Sequence, residues 1–169
     1  MHDHPGTRGP SPKATRRLDL ILVALIVLSA DVVVKIIVSA RLELGASVEL
    51  LGSLLRVTPA ENTGGAFGVL PGAGPIFAVA SIAVIALLLA VHERSARSSL
   101  ESVAFGAMIG GALGNLLDRV ADGAVLDYLD LGVDQSRFPL FNLADLAISL
   151  GLLVLLTISW RGRRGPSQL

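Results

Sequence analysis

The sequence predicts an all-α membrane protein in which four transmembrane helices carry a small extracytoplasmic β-sheet and loop cap. Three observations predict it. Hydrophobic residues make up 52% of the 169-residue chain and mean hydropathy is strongly positive, outside the range of an ordinary soluble domain. Four long apolar runs recur, each close to the roughly 20 residues that cross a bilayer core about 30 Å thick. Basic residues are denser on alternate connections, as the positive-inside rule expects. At this length one compact bundle is expected, with no second domain.

In chain order, Met1 to Arg17 is rich in Pro, Gly and charge without periodicity and reads as a disordered cytoplasmic tail. The apolar runs extend from about Leu18 to Val38, Pro75 to Val91, about Leu100 to Leu117 and about Leu143 to Trp160. Residues 18–160 thus form the membrane domain, and 161–169 a basic tail. Arg8, Lys13, Arg16 and Arg17 precede the first run, Arg94 and Arg97 lie between the second and third, and Arg161, Arg163 and Arg164 follow the fourth. The other side holds Arg41, Arg56, Arg119 and Arg137. Both termini are therefore expected in the cytoplasm, and the connections from about Ser39 to Gly74 and from Asp118 to Asn142 outside.

A cleavable signal peptide is the rival for the first run, since two arginines precede it and Val38-Ser39-Ala40 resembles a cleavage site. The run is long for such a segment and carries Asp31 and Lys35. In the first outer connection, Val48 to Leu51 and Leu54 to Thr58 are short apolar stretches separated by Gly52-Ser53, which suits a hairpin. A small sheet on the outer surface is expected there. No internal repeat is present, which weakens a transporter built from duplicated halves.

Composition excludes several chemistries. Fourteen basic residues balance fourteen acidic ones, and no basic stripe with interleaved aromatics offers itself to nucleic acid. The chain has no cysteine, hence no disulfide, thiol nucleophile or thiolate metal site. His2, His4 and His92 lack metal-ligand spacing and read as solvent-facing. No metal or cofactor is expected.

The chemistry is sought among the remaining polar residues. Asp31 and Lys35, spaced i, i+4, share a helix face near the outer third of the membrane, where they can pair. Lys35 snorkelling to the headgroups and a role toward substrate are both open. In the third run Gly106, Gly110 and Gly114 recur every four residues, the arrangement that lets helices pack closely. At its outer end a local Asp118–Arg119 ion pair with Asn115 bridging to a neighbour is the default reading.

The loop NTGGAFG, Asn62 to Gly68, has glycines, Gly64 among them, that permit close approach to a ligand, although a turn without a ligand and with Phe67 as an interfacial anchor is the commoner meaning of such a string. Asn142 is positioned to cap the fourth helix, with Asp145 at the third helical position completing a variant capping box. That cap holds Asp145 rigidly and suits its anion, leaving Asp127 of GAVLDY as the holder of any shared proton. Spacing alone does not select Asp127 over Asp118, Asp122, Asp130 or Asp134.

The strings Asp31-Val-Val-Val-Lys35, NTGGAFG, GNLLDR, GAVLDY and FNLADLAISLG, in this order among four apolar runs, closely resemble the lipoprotein signal peptidases, also called signal peptidase II. The resemblance covers about Leu18 to Trp160. It implies a monomeric aspartic endopeptidase of the bacterial cytoplasmic membrane, among membrane lipids, cleaving prolipoproteins just before a diacylglyceryl-modified cysteine.

By that resemblance Asp127 and Asp145 are the catalytic dyad. Asp31, Lys35, Asn62, Gly64, Asn115, Arg119 and Asn142 bind substrate or support the site, and Asp118 belongs to GNLLDR rather than to the dyad. Ala124, Tyr128 and the approach Pro59-Ala60-Glu61 depart from the commoner pattern. A small proton-coupled carrier or channel is the alternative, since intramembrane acids and a lysine also describe ion pathways. The acids gather at one edge, however, and no chain of them crosses the bilayer. No G-x-S-x-G or serine-histidine arrangement supports a serine peptidase.

Overall fold

The computed structural model describes residues 11–65, 69–96 and 98–163. Four of its helices are long and apolar enough to cross a membrane: α1 (Pro12–Arg41), α2 (Gly74–Ser95), α3 (Ser99–Ala121) and α4 (Leu143–Arg163). Between them lie strands β1 (Val48–Leu51), β2 (Leu55–Asn62), β3 (Val125–Val133) and β4 (Ser136–Arg137). These form one antiparallel sheet in the order β1-β2-β3-β4.

α1 starts earlier than the apolar pattern alone suggests, so residues 12–17 are helix and not disordered tail. The reason is local. Ser11 accepts a hydrogen bond from the Ala14 N–H at 3.3 Å and Pro12 occupies the first turn, the pairing that starts helices well. Arg17 then forms two 2.7 Å hydrogen bonds with Glu93 of α2, and Lys13 approaches the same carboxylate at 3.5 Å. Residues 1–10, with His2, His4 and Arg8, lie outside the described residues, as do Arg97 and residues 164–169.

α3 is the central helix, packed against α1, α2 and α4. It begins with a complete capping box between Ser98 and Glu101 and ends with Gly123 at a φ of +75°, the left-handed residue that commonly closes a helix. Its small residues are where neighbours come closest. A Cβ on Gly106 would meet the Leu20 carbonyl oxygen at 2.6 Å, and one on Gly110 the Ala24 oxygen at 2.5 Å. The glycine stripe is therefore the α1 contact, as its spacing predicts.

His92 corrects the reading of solvent-facing histidines. It is buried where α2 meets α3, with its Nε2 3.0 Å from Ser102 Oγ and its ring edge-on to Phe105 at 5.6 Å. A buried polar group without a partner is costly, and the serine supplies one.

The sheet is larger than the hairpin expected in the first connection. β1 and β2 form that hairpin, with Gly52 at a φ of +54° in the turn, but the second connection adds β3 alongside β2. Fully buried Pro59 sits where the register shifts between Val57↔Leu129 and Ala60↔Asp127. A proline lacks the N–H that a regular ladder needs, so it is accommodated at a bulge. The bulge turns Ala60 and Asn62 toward Asp127, which gives the unusual Pro59-Ala60-Glu61 approach a structural purpose.

Gly110→Leu is expected to destabilise the bundle by about 1–3 kcal/mol through overpacking, whereas Gly162→Ala, with open space around it, is expected to be neutral. Thermal unfolding of both variants in one detergent checks this. An unchanged melting temperature for Gly110→Leu contradicts close α1–α3 packing.

Candidate active site

The first turn of α4 has backbone N–H groups that the helix cannot satisfy itself. Each finds a partner from a different place. Leu143 N–H donates to Tyr128 Oη at 3.2 Å, Ala144 N–H to Asp31 Oδ1 at 3.0 Å and Asp145 N–H to Asn142 Oδ1 at 2.9 Å. The Asn142 N–H donates in return to Asp145 Oδ2 at 3.3 Å, so the expected capping box is present. Asp145 is thereby fixed at a helix N-terminus, a setting that suits a carboxylate.

Asn142 is fully buried and its amide is used at both ends. While Oδ1 caps α4, Nδ2 donates to Asp127 Oδ1 at 2.8 Å and to Asn115 Oδ1 at 3.0 Å. Asn115 Nδ2 donates to Asp145 Oδ1 at 2.7 Å. Asn62 completes the ring, donating from Nδ2 to Asp127 Oδ2 at 2.9 Å. Three asparagines thus hold the two carboxyls from three elements.

The helical acids and base lie behind this ring. Lys35 Nζ is 2.7 Å from Asp31, 2.8 Å from Asp118 and 3.4 Å from Asn115 Oδ1, and it is buried. The predicted Asp31–Lys35 pair is therefore present, while snorkelling to the headgroups is overturned. Asp118 departs from its expected pairing with Arg119, because it turns to Lys35 and accepts the Leu126 N–H at 3.1 Å. Arg119 instead donates to the carbonyls of Asn115 at 3.3 Å and Gly64 at 3.2 Å and lies over the Phe77 ring at 5.6 Å. Gly64 is buried, its N–H held by Asn62 Oδ1 at 3.0 Å. Ala66, Phe67 and Gly68, the remainder of the glycine loop, lie outside the described residues.

Asp127 and Asp145 open into one cavity of about 470 Å³. Its polar margin is Asn62, Asn115 and Arg119, and its wall includes Leu131, Phe138, Phe141 and Ile148. Asp127 also borders a second cavity of about 360 Å³ with Thr63, Gly64 and Pro139, so it stands between a strongly apolar space and one of mixed lining. Burial pushes the Asp127 carboxyl up to about 6, the Asp145 charge adds to the rise, and the Asn62 and Asn142 hydrogen bonds and the Lys35 charge oppose it. Such an acid holds a proton to much higher pH than an exposed one.

All nine candidate residues read from the sequence gather here: Asp31, Lys35, Asn62, Gly64, Asn115, Arg119, Asp127, Asn142 and Asp145. Tyr128 was seen only as a departure from a motif, yet its hydroxyl anchors α4. The Leu126 and Ala144 N–H groups are invisible in the sequence, since backbone donors carry no signal in side-chain spacing. Among the described residues no cluster of three or more His, Asp or Glu side chains is arranged to hold a metal ion.

The family model described as signal peptidase (SPase) II matches residues 23–161. The chain belongs to the signal peptidase II family. A lipoprotein signal peptidase of Halothermothrix orenii is 36% identical over 140 residues, covering 83% of this chain and 94% of its own. One from Bacillus velezensis is 36% identical over 135 residues, covering 79% and 88%. Two solved structures, each described as a bacterial membrane enzyme studied by the in meso method, superpose with TM-scores of 0.82 and 0.74. They are 28% and 32% identical and cover 89% and 82% of this chain, and 93% and 90% of their own. Membership of a signal peptidase II family makes the chain a peptide-bond hydrolase, and with four membrane-capable helices a multi-pass bacterial membrane protein.

The raised Asp127 value has a definite sign. Between the ordinary carboxylate range and about 6 the folded chain binds a proton that the unfolded chain has released, so this group's contribution to stability is lost as pH rises through that window. Asn62→Leu removes a hydrogen bond that favours the anion, and Asp127 is expected to titrate at higher pH in that variant. Carbon NMR of labelled aspartate follows it; an equal or lower midpoint contradicts the assigned contact.

Proposed function

We propose that this chain is an aspartic endopeptidase that removes the signal peptide of prolipoproteins immediately before the diacylglyceryl-modified cysteine, with Asp127 and Asp145 as its acid pair. The observation that carries this reading is the shared cavity: carboxyls from a strand and from a helix N-terminus open into one apolar-walled space. The family supplies the substrate class, and the relatives' name, lipoprotein signal peptidase, agrees with it. A proton-coupled carrier finds no support in these comparisons.

In this reading Asp145, ionised, takes a proton from water, while protonated Asp127 donates to the oxygen of the scissile carbonyl. The resulting hydroxide adds to the carbonyl carbon. Collapse of the tetrahedral intermediate breaks the C–N bond as the leaving nitrogen takes the proton from Asp145, and the intermediate's hydroxyl proton returns to Asp127. No covalent enzyme intermediate forms. The apolar wall of Phe138, Phe141 and Ile148 suits acyl chains, and the space beside Thr63 and Gly64 suits the peptide. The carbonyl of Gly64, held by Arg119, keeps that loop against the site.

The distribution of basic residues supports cytoplasmic termini, with the sheet and dyad on the extracytoplasmic side. Substrate and membrane lipid then reach the cavity from the outer leaflet, and a single copy of the chain supplies every residue invoked.

Purified protein incubated with diacylglyceryl and unlipidated forms of one precursor is expected to cleave only the first. Asp127→Asn and Asp145→Asn are expected to abolish cleavage, a loss of at least about 10³-fold on the scale of essential catalytic groups, while the proteins still insert. Asp118→Asn is expected to lose activity chiefly through loss of folded protein. Equal cleavage of both precursors contradicts the lipid requirement, and normal turnover in either dyad variant contradicts the assignment of the acids.

A further inference from the structure

The dyad aspartates are each preceded by a residue whose backbone N–H is held by a carboxylate from elsewhere. Ala144 N–H, just before Asp145, donates to Asp31 at 3.0 Å; Leu126 N–H, just before Asp127, donates to Asp118 at 3.1 Å. Asp31 comes from α1 and Asp118 from α3, and their common partner is the Lys35 ammonium, at 2.7 and 2.8 Å. Its third acceptor is Asn115 Oδ1, and Asn115 bonds Asp145. An ammonium has three donors, and each here leads by a different route toward the acid pair.

We propose that Lys35 is the positioning residue of the dyad, its single charge joining the two carboxylates that anchor the peptide units before Asp127 and Asp145. This rests on the peptidase reading above. Asp31 is wholly buried and Asp118 is 18% exposed, so without the ammonium two neighbouring carboxylates lie uncompensated where charge is poorly solvated. Such groups relax by moving apart or taking up protons. Either response slackens the grip on the Ala144 and Leu126 N–H groups and turns the acids out of register. A lysine suits the place better than arginine, because a compact charge with three donors can serve three acceptors at one point.

The same ammonium acts on Asp127 through space. The charged groups that act on that carboxyl are Lys35 from α1, Arg119 from α3 and Asp145 from α4, with Glu61 of β2 lining a cavity that Asp127 shares and Tyr128 the adjacent titratable group on its own strand; Asp31 and Asp118 stand one step away, on Lys35. Lys35 favours the ionised form, so removing its charge moves the loss of the Asp127 proton to higher pH.

The chain contains no cysteine, and a cavity of about 600 Å³ lined by Leu126 and Ala124 reaches Lys35 from a space separate from the dyad's own. Lys35→Cys can therefore be alkylated at one site. Treatment with 2-bromoethylamine restores an ammonium at nearly the lysine length, while 1-bromopropane adds a neutral chain of the same size. With a lipidated precursor, the propyl adduct is expected to lose about a hundredfold in kcat, the scale for misplaced reacting groups, with KM little changed. The alkaline limb of its kcat/KM profile is expected to move to higher pH. Hydrogen exchange at the Leu126 and Ala144 amides is expected to quicken while other core amides keep their protection, and the aminoethyl adduct to reverse all three effects.

Equal rates and equal pH profiles for the two adducts overturn the proposal. If the charge proves necessary for folding, Lys35→Met combined with Asp31→Asn relieves the wholly buried carboxylate and leaves an amide oxygen to accept the Ala144 N–H; that enzyme is expected to fold and stay slow, and a wild-type kcat from it also overturns the proposal. Failure of the unmodified protein to cleave any lipidated precursor counts against the peptidase reading instead, and the amide exchange still tests the clamp.

Discussion

The start of α4 is the constraint on which the site depends. A helix that begins inside a packed bundle must satisfy its first N–H groups without bulk water, and an unsatisfied buried donor costs about 1–3 kcal/mol. Here the donors are met by Tyr128 from β3, Asp31 from α1 and the Asn142 cap. Each partner ties α4 to another part of the fold, so satisfying the helix end also decides where Asp145 stands relative to Asp127. The relative placing of the two acids is in this sense a by-product of satisfying backbone hydrogen bonds.

That solution obliges α1 to carry a buried carboxylate, and the obligation propagates. Asp31 needs a cation, Lys35 supplies it, and a second carboxylate, Asp118, together with Asn115 satisfies what remains of the ammonium. Side chains as short as Asp31, Asp118 and Asn115 meet at one lysine because the helix axes are close. The glycines of α3 permit that approach: a Cβ on Gly114 would stand 2.5 Å from Asp31 Oδ2, as one on Gly110 would from the Ala24 backbone. Small residues in α3 are therefore a condition for the polar network and not only for apolar packing.

These levels differ in how visible they are in the sequence. The four spans are legible because apolar runs of bilayer length have few other meanings, and the α4 cap is legible because Asn142 and Asp145 carry the spacing of a capping box. The hairpin at Gly52-Ser53 is legible from its turn. Strand β3 is hidden, since both faces of its first six residues are at least partly covered and a strand covered on both faces does not alternate; its partner β2 lies more than sixty residues earlier, so no local turn signals the pairing. Motif order, and not spacing, selects Asp127 among several acids. What distinguishes it physically is the pair of amides on its oxygens and the shared cavity, neither of which a linear reading contains. His92 illustrates the opposite error: a polar residue near a helix end looks solvent-facing until α3 is placed beside it.

The two acids also illustrate how one fold can give the same side chain two environments. Asp145 sits where a helix terminus and two N–H donors converge, an arrangement complementary to negative charge. Asp127 sits on a strand at a cavity wall, where burial disfavours charge and pushes its carboxyl up to about 6 despite two amide donors. On the proposed function, filling the cavity with acyl chains would exclude further water, and loss of solvation would act on the less supported carboxylate first. Lipidated substrate would then strengthen the asymmetry it uses, holding the proton on Asp127 while Asp145 stays free to accept one from water. A precursor without acyl chains would leave the apolar wall wet and that bias unreinforced, so that on this reading recognition of the lipid bears on the chemistry and not only on binding.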